Sequence, residues 1–249
     1  MTIDTHAHPY LCKRPIEEIV ETAKAAGLSN ILCVALDHET GMECLKLSQQ
    51  FPIFVPTIGI HPCERKSFSQ IEKIEDAIKT YPFKAIGEIG LDYHWDASYA
   101  DEQKVVLKSQ LEMARKANLP VIIHSRNSDS DMVNFMKNYV DIKRVFHCFS
   151  SDWEVAQSLL SPLTKFSFTG MITSAKKGKT IEVIRNLSLD QLMIETDCPY
   201  LTPIQYKGEE NQPAYVVEVA KKIAEIKEIS YEKVIEVTTR NAIEFFNLK

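Results

Sequence analysis

The chain has 249 residues, 45% of them hydrophobic, and a formal net charge of −5. That length suits one α/β barrel as well as two average domains, and no apolar run approaches the roughly 20 residues of a membrane helix. The acidic balance works against binding of long duplex nucleic acid, which rests on many Lys and Arg contacts to phosphate, so a nucleic-acid substrate would have to be gripped locally.

Strand candidates fall at about 1–6, 30–36, 53–60, 84–90, 119–124, 143–148, 165–171 and 191–196. Several are nearly continuous apolar runs, as in Asn30-Ile31-Leu32-Cys33-Val34-Ala35, which suits strands covered on both faces of a parallel sheet. Amphipathic stretches alternate with them. Pro15 to Ala26, Asp101 to Ala117 and Ala214 to Ile226 each place their apolar residues three and four apart, on one stripe. Gly27 and Asn118 are placed to close the first two of these helices. Eight strands alternating with eight helical segments is the count of a (β/α)8 TIM barrel, an α/β fold, and residues 1–249 are read as one barrel domain. A doubly wound open sheet would show a similar alternation, but no Gly-rich nucleotide loop follows the first strand.

The opening Met1-Thr2-Ile3-Asp4 lacks the basic and apolar segments of a signal peptide, so a cytoplasmic location is expected. Six cysteines, at 12, 33, 44, 63, 148 and 198, form no C-x-x-C pair. They read as free thiols and not as a disulfide frame or a zinc knuckle.

Metal-binding side chains recur at strand ends. His6 and His8 are two apart and share one face of the first strand, as a metal site or as two hydrogen-bonded core histidines. Glu88 follows Lys84-Ala85-Ile86-Gly87, where an unpaired carboxylate would be costly without a cation or a basic partner. His124 follows Pro120-Val121-Ile122-Ile123, and His147 follows Arg144-Val145-Phe146. Asp197 follows Leu192-Met193-Ile194-Glu195-Thr196, as a ligand or as a cap on the turn into Pro199, and Glu195 is placed to support a ligand from behind. The C-terminal ends of barrel strands are where such enzymes keep their active sites.

These segments resemble the TatD family of metal-dependent deoxyribonucleases, within the amidohydrolase group of barrels. The match runs through D-T-H-A-H at the start, G-I-H-P (59–62), G-E-I-G-L-D-Y (87–93), P-V-I-I-H-S-R (120–126), H-C-F-S (147–150), E-T-D-C-P-Y-L-T-P (195–203) and N-Q-P-A-Y-V (211–216). The resemblance implies two divalent cations, Mg, Mn or Zn. His6, His8 and Asp197 would hold one, His124 and His147 the other, with Glu88 as the bridge. Glu88 and Asp197 would be catalytic, Asp197 taking the proton of a metal-activated water. His61 and Arg126 would bind substrate, Arg126 through its phosphate-matching fork, unless it pairs instead with Asp129 or Asp131. Two departures stand out. Lys207-Gly208-Glu209-Glu210 is acidic where the family is usually basic, and Pro9-Tyr10 replaces a Leu-Asp type of sequence, which is expected to alter the pocket rim and not the ligands.

The expected activity is hydrolysis of phosphodiester bonds, as a 3′-to-5′ exodeoxyribonuclease on DNA ends. The competing readings are hydrolysis of a small phosphate ester, a lactone or an aminoacyl ester, and a metal-bearing scaffold for a partner protein. A monomer with no membrane partner is expected. His94 and Trp95 lie on the loop after Glu88, either to stack on a nucleobase or to pack on the barrel. His38 is expected at an exposed helix start, and Trp153 in core packing behind another.

Overall fold

In the computed structural model, which describes residues 1–248 and so leaves only Lys249 of the expected 1–249 domain outside, the chain alternates strand and helix from end to end. The strands are β1 (Thr2–Ala7), β2 (Leu28–Cys33), β3 (Phe54–Pro56), β4 (Ile86–Asp92), β5 (Val121–Arg126), β6 (Arg144–Phe146), β7 (Thr164–Phe168) and β8 (Leu192–Ile194). The helices are α1 (Ile16–Ala25), α2 (His38–Gln50), α3 (Ile71–Thr80), α4 (Ala100–Ala117), α5 (Asp129–Met136), α6 (Trp153–Leu159), α7 (Lys179–Asn186), α8 (Val216–Lys227) and α9 (Tyr231–Phe246).

Every strand pairs in parallel with its neighbour in sequence, in two ladders, β1-β2-β3 and β4 through β8. Two seams of backbone hydrogen bonds close the ring. Lys84 N–H donates to Pro56 O (3.0 Å) and Gly87 N–H to Ile58 O (2.9 Å); on the other side Asp197 N–H donates to His6 O (2.9 Å) and His8 N–H to Cys198 O (2.8 Å). The result is a (β/α)8 barrel, which replaces the open-sheet alternative. The second seam runs through the segments that carry His6, His8 and Asp197, so barrel closure itself brings them together.

Inside, Ile3, Leu32, Val34, Val55, Ala85, Ile122, Val145 and Met193 form a buried cluster, with Ala242, Phe245 and Phe246 of α9. The last turns of α9 therefore stopper the ring with aromatic rings, opposite the mouth formed by the C-terminal strand ends. Among the described residues α9 is a ninth helix where eight were expected. Both α8 and α9 follow β8, and α9 packs on β1 and β8 to seal the floor. Side chains two apart on a strand share a face. His124 thus stands above Ile122, His147 above Val145, and Glu195 above Met193, all on the inward side.

The expected helix ends are present. Gly27 (φ 85°) follows α1, and Asn118 (φ 52°) ends α4 in the left-handed conformation that asparagine tolerates. His38 opens α2 behind the Asp37 cap but is half-buried and not exposed. Trp153 opens α6 and packs against the core. All six cysteines are free, and no helix of the described residues is long and apolar enough to cross a membrane.

Candidate active site

Glu88 stands at the centre of the mouth, buried to 3% exposure. Its Oε1 lies 2.6 Å from His147 Nε2, 2.8 Å from His124 Nδ1 and 3.6 Å from His61 Nε2. Its Oε2 lies 3.3 Å from His6 Nε2 and 3.8 Å from His8 Nε2. Asp197 Oδ1 closes the group, 3.4 Å from His8 Nε2 and 3.7 Å from His6 Nε2. One carboxylate thus faces five imidazoles drawn from four different strand ends, His6 and His8 sharing the first.

Protons are too few for so many facing lone pairs. His8 Nδ1 donates to the Val34 carbonyl (2.8 Å), which can only accept. In the neutral ring, Nε2 then turns a lone pair toward the Asp197 carboxylate, a contact that is favourable only if a proton or a cation lies between. His6 Nδ1 and His147 Nδ1 are buried without a hydrogen-bond partner, although His147 Nδ1 keeps an ionic contact with Glu195 Oε1 at 3.4 Å. The donor set of imidazole nitrogens and carboxylate oxygens is one that divalent cations take. Three groups have ligand atoms within 4.8 Å of one another: His6, His8 and Asp197; His6, Glu88 and His147; and His61, Glu88 and His124. These residues fit a metal centre.

Titration follows the same pattern. Burial alone would raise the Glu88 carboxyl, but His147, His61 and His6 around it hold it well below the usual carboxylate range. Asp197 is likewise lowered, burial being outweighed by the His8 hydrogen bond and by His6 and His147. Burial would depress His147, yet Glu88 and Glu195 raise it well above the ordinary imidazole value. His61 has no hydrogen bond to a carboxylate, and burial takes it down to about 3, which keeps it neutral.

Set beside known proteins, residues 3–247 match the family model described as TatD related DNase. The chain is 36% identical over 254 residues to the uncharacterized metal-dependent hydrolase YabD of Bacillus subtilis (strain 168), with all of both chains covered. It is 29% identical to the uncharacterized metal-dependent hydrolase YcfH of Escherichia coli (strain K12), over 99% of this chain and 96% of that one. The crystal structure of YjjV, a TatD homologue from Escherichia coli K12, superposes with a TM-score of 0.93 at 27% identity, over 100% of this chain and 98% of that one. The chain belongs to the TatD family. It is a metal-dependent hydrolase.

Within this TatD-family barrel, the structure sorts the expected site residues unevenly. His6, His8, Glu88, His124, His147 and Asp197 meet at the mouth, as the distances above record. His61, expected to touch substrate, lies among the ligand-capable groups, edge-on to His124 with ring centroids 4.5 Å apart. Arg126 is exposed at the rim and makes no ion pair among the described residues. The two carboxylates weighed as its partners are engaged elsewhere, Asp131 by Lys104 (2.8 Å) and the Tyr93 hydroxyl (2.8 Å), and Asp129 by the Ser151 hydroxyl (2.7 Å). The acids of the 207–210 loop are engaged too. The Tyr215 hydroxyl donates to Glu209 (2.6 Å), and Lys13 N–H donates to Glu210 (3.0 Å). Tyr10 does more than shape the rim, since its hydroxyl donates to Val34 O (2.8 Å) and sits 3.2 Å from His8 Nδ1.

Asp92 and Asp4 carry weight that the sequence reading did not assign. Asp92 Oδ2 is 2.9 Å from His124 Nε2, so it orients that ring with Nδ1 toward Glu88. Burial would raise Asp92, but His124 and the His94 N–H bring it down to about 2. The signal was available, since residues 88 and 92 are an even number apart on one strand. Asp4 is fully buried and ties β1 to the end of β8, accepting from Thr196 N–H (2.9 Å) and from the Thr196 hydroxyl. Burial pushes its pKa up to about 8. For Asp92→Asn we expect metal affinity to fall about 10- to 100-fold, the usual effect of removing a partner behind a histidine ligand. Titration calorimetry on both proteins checks this; unchanged affinity would mean that Asp92 does not set the His124 ring.

Proposed function

We propose that this chain is a phosphodiesterase that shortens DNA from its 3′ ends, a 3′-to-5′ exodeoxyribonuclease dependent on two divalent cations, Mg, Mn or Zn. The observation that carries this reading is the central Glu88 carboxylate, with imidazoles of His6 and His8 against one oxygen and of His61, His124 and His147 against the other. Two sets of donors sharing one carboxylate suit a pair of ions, with His6, His8 and Asp197 on one side and His124 and His147 on the other. Bound there, the cations would supply Lewis acidity toward phosphate oxygens and lower the pKa of a water.

The chain's own groups divide the remaining work. Asp197, ionised and 3.4 Å from His8 Nε2, receives the proton at Oδ1. Glu88 stays ionised and holds the two halves of the site together. Arg126, free of carboxylate partners at the rim, offers a two-pronged contact to phosphate, and neutral His61 donates or accepts without adding charge. The unit is residues 1–249 as one domain, acting as a cytoplasmic monomer.

A second reading is hydrolysis of a small phosphate ester, a lactone or an aminoacyl ester. It is favoured by the net charge of −5 and by the acidic Glu209 and Glu210, which offer nothing to a long nucleic-acid backbone. Elemental analysis of the purified protein, followed by product mapping on end-labelled oligonucleotides with each metal found, tests the first reading. Stepwise 3′ shortening that a chelator stops is the expected result. Turnover of p-nitrophenyl phosphate or a lactone panel, with oligonucleotides left intact, would transfer the assignment to the second.

A further inference from the structure

One exposed aromatic side chain is tied to the metal centre through a single carboxylate. Asp92 Oδ2 faces His124 Nε2 at 2.9 Å, and its Oδ1 accepts the His94 backbone N–H at 2.8 Å. The next residue, Trp95, is 72% exposed. Its indole stands edge-on to the His94 ring, with centroids 4.8 Å apart, and the Arg126 guanidinium lies 5.5 Å from its centroid. The Arg126 backbone is held from below, because it pairs with Asp92 across the β4-β5 ladder and its carbonyl accepts Tyr93 N–H at 2.9 Å. The alternative of packing against its own barrel is ruled out by the exposure. A large bare indole is costly to keep in water, and this one sits on a loop whose position the site itself fixes.

We propose that Trp95, flanked by Arg126, is a stacking shelf for the nucleobase next to the scissile phosphate. This rests on the phosphodiesterase reading above and names the residue that grips the base. Any base offers a π-face to an indole. Arg126 adds a cation beside the ring that reaches the adjoining phosphate. The shelf compensates for the acidic surface by gripping one nucleotide tightly instead of many phosphates weakly.

The test compares wild type, Trp95→Ala and Trp95→Phe on a 3′-labelled single-stranded oligonucleotide, on the same strand with an abasic 3′-terminal nucleotide, and on bis-p-nitrophenyl phosphate. A stacked base is worth about 1–3 kcal/mol, so Trp95→Ala should lower kcat/KM on the base-bearing end by about fivefold to a hundredfold, mostly through KM. The abasic end and the small diester should be cleaved as by wild type, and Trp95→Phe should recover most of the loss. Equal losses on all three substrates, or none, overturn the shelf. If wild type cleaves no phosphodiester at all, the phosphodiesterase reading has failed separately. The shelf is then judged by binding, as quenching of the Trp95 share of the fluorescence (wild type minus Trp95→Phe, leaving Trp153) by a short thymidine oligonucleotide. Quenching retains the shelf, and its absence overturns it.

Discussion

Replacing Glu88 with Gln should abolish turnover while leaving the barrel folded. The carboxylate reaches both halves of the site, 2.6 Å from His147 on one oxygen and 3.3 Å from His6 on the other. An amide of the same shape keeps one acceptor and turns an N–H donor toward the facing imidazoles, so the charge that gathers the site is lost. The fall in kcat/KM should exceed the roughly 10- to 100-fold expected for an outer partner such as Asp92, reaching about a thousandfold or more. Metal content should fall with it. His6→Ala and Asp197→Ala should behave alike, since each removes a donor from the other end of the same cluster. Circular dichroism and a thermal melt separate this from misfolding: the apolar floor of Ile3, Val34, Ile122 and Phe246 lies outside the substitution. Wild-type turnover in any of the three with added metal would refute the ligand assignment.

The second large effect is expected at Gly90→Ala. Gly90 pairs with His124 in the β4-β5 ladder and has φ 154°. A methyl group there would stand 1.9 Å from the His124 carbonyl oxygen and 2.8 Å from its carbon. Neither atom can yield, because both belong to the backbone of a strand hydrogen-bonded on each side. Unlike a crowded side chain, which can change rotamer, β5 would have to move away from β4 at the residue whose imidazole touches Glu88. Overpacking of this kind costs about 1–3 kcal/mol or more, with backbone strain of similar size added. The melting temperature should fall by about 4–24 °C for a chain of this length, and metal affinity should drop as His124 is displaced. A melt within about 2 °C of wild type would show that β5 accommodates the methyl.

Much of this architecture was legible because parallel barrel strands are covered on both faces, which leaves apolar runs such as residues 119–123 in plain view. The positions of the donors that converge at the mouth were legible for a related reason. Where an apolar run ends in His or Asp, nothing but the mouth of the barrel awaits that side chain. What escaped lay in contacts between segments remote in the chain. The Asp4 carboxylate meets Thr196 across 192 positions, and His124 finds Asp92 across 32; no local period reports such pairs. The engagement of Asp131 and Asp129 was equally hidden, and with it the freedom of Arg126. The extra helix α9 was missed because its stripe resembles that of any outer helix, although its last turns cover an end of the barrel and not a flank.

With Phe245 and Phe246 corking the far end, the molecule has a single doorway. Reactant, water and product all pass through the same opening, and none can drain through the cylinder. A polymer cannot be threaded through such a vessel and must present its tip or lie across the rim. The cleaved piece therefore has to leave by the way the substrate came, past the loops around that doorway.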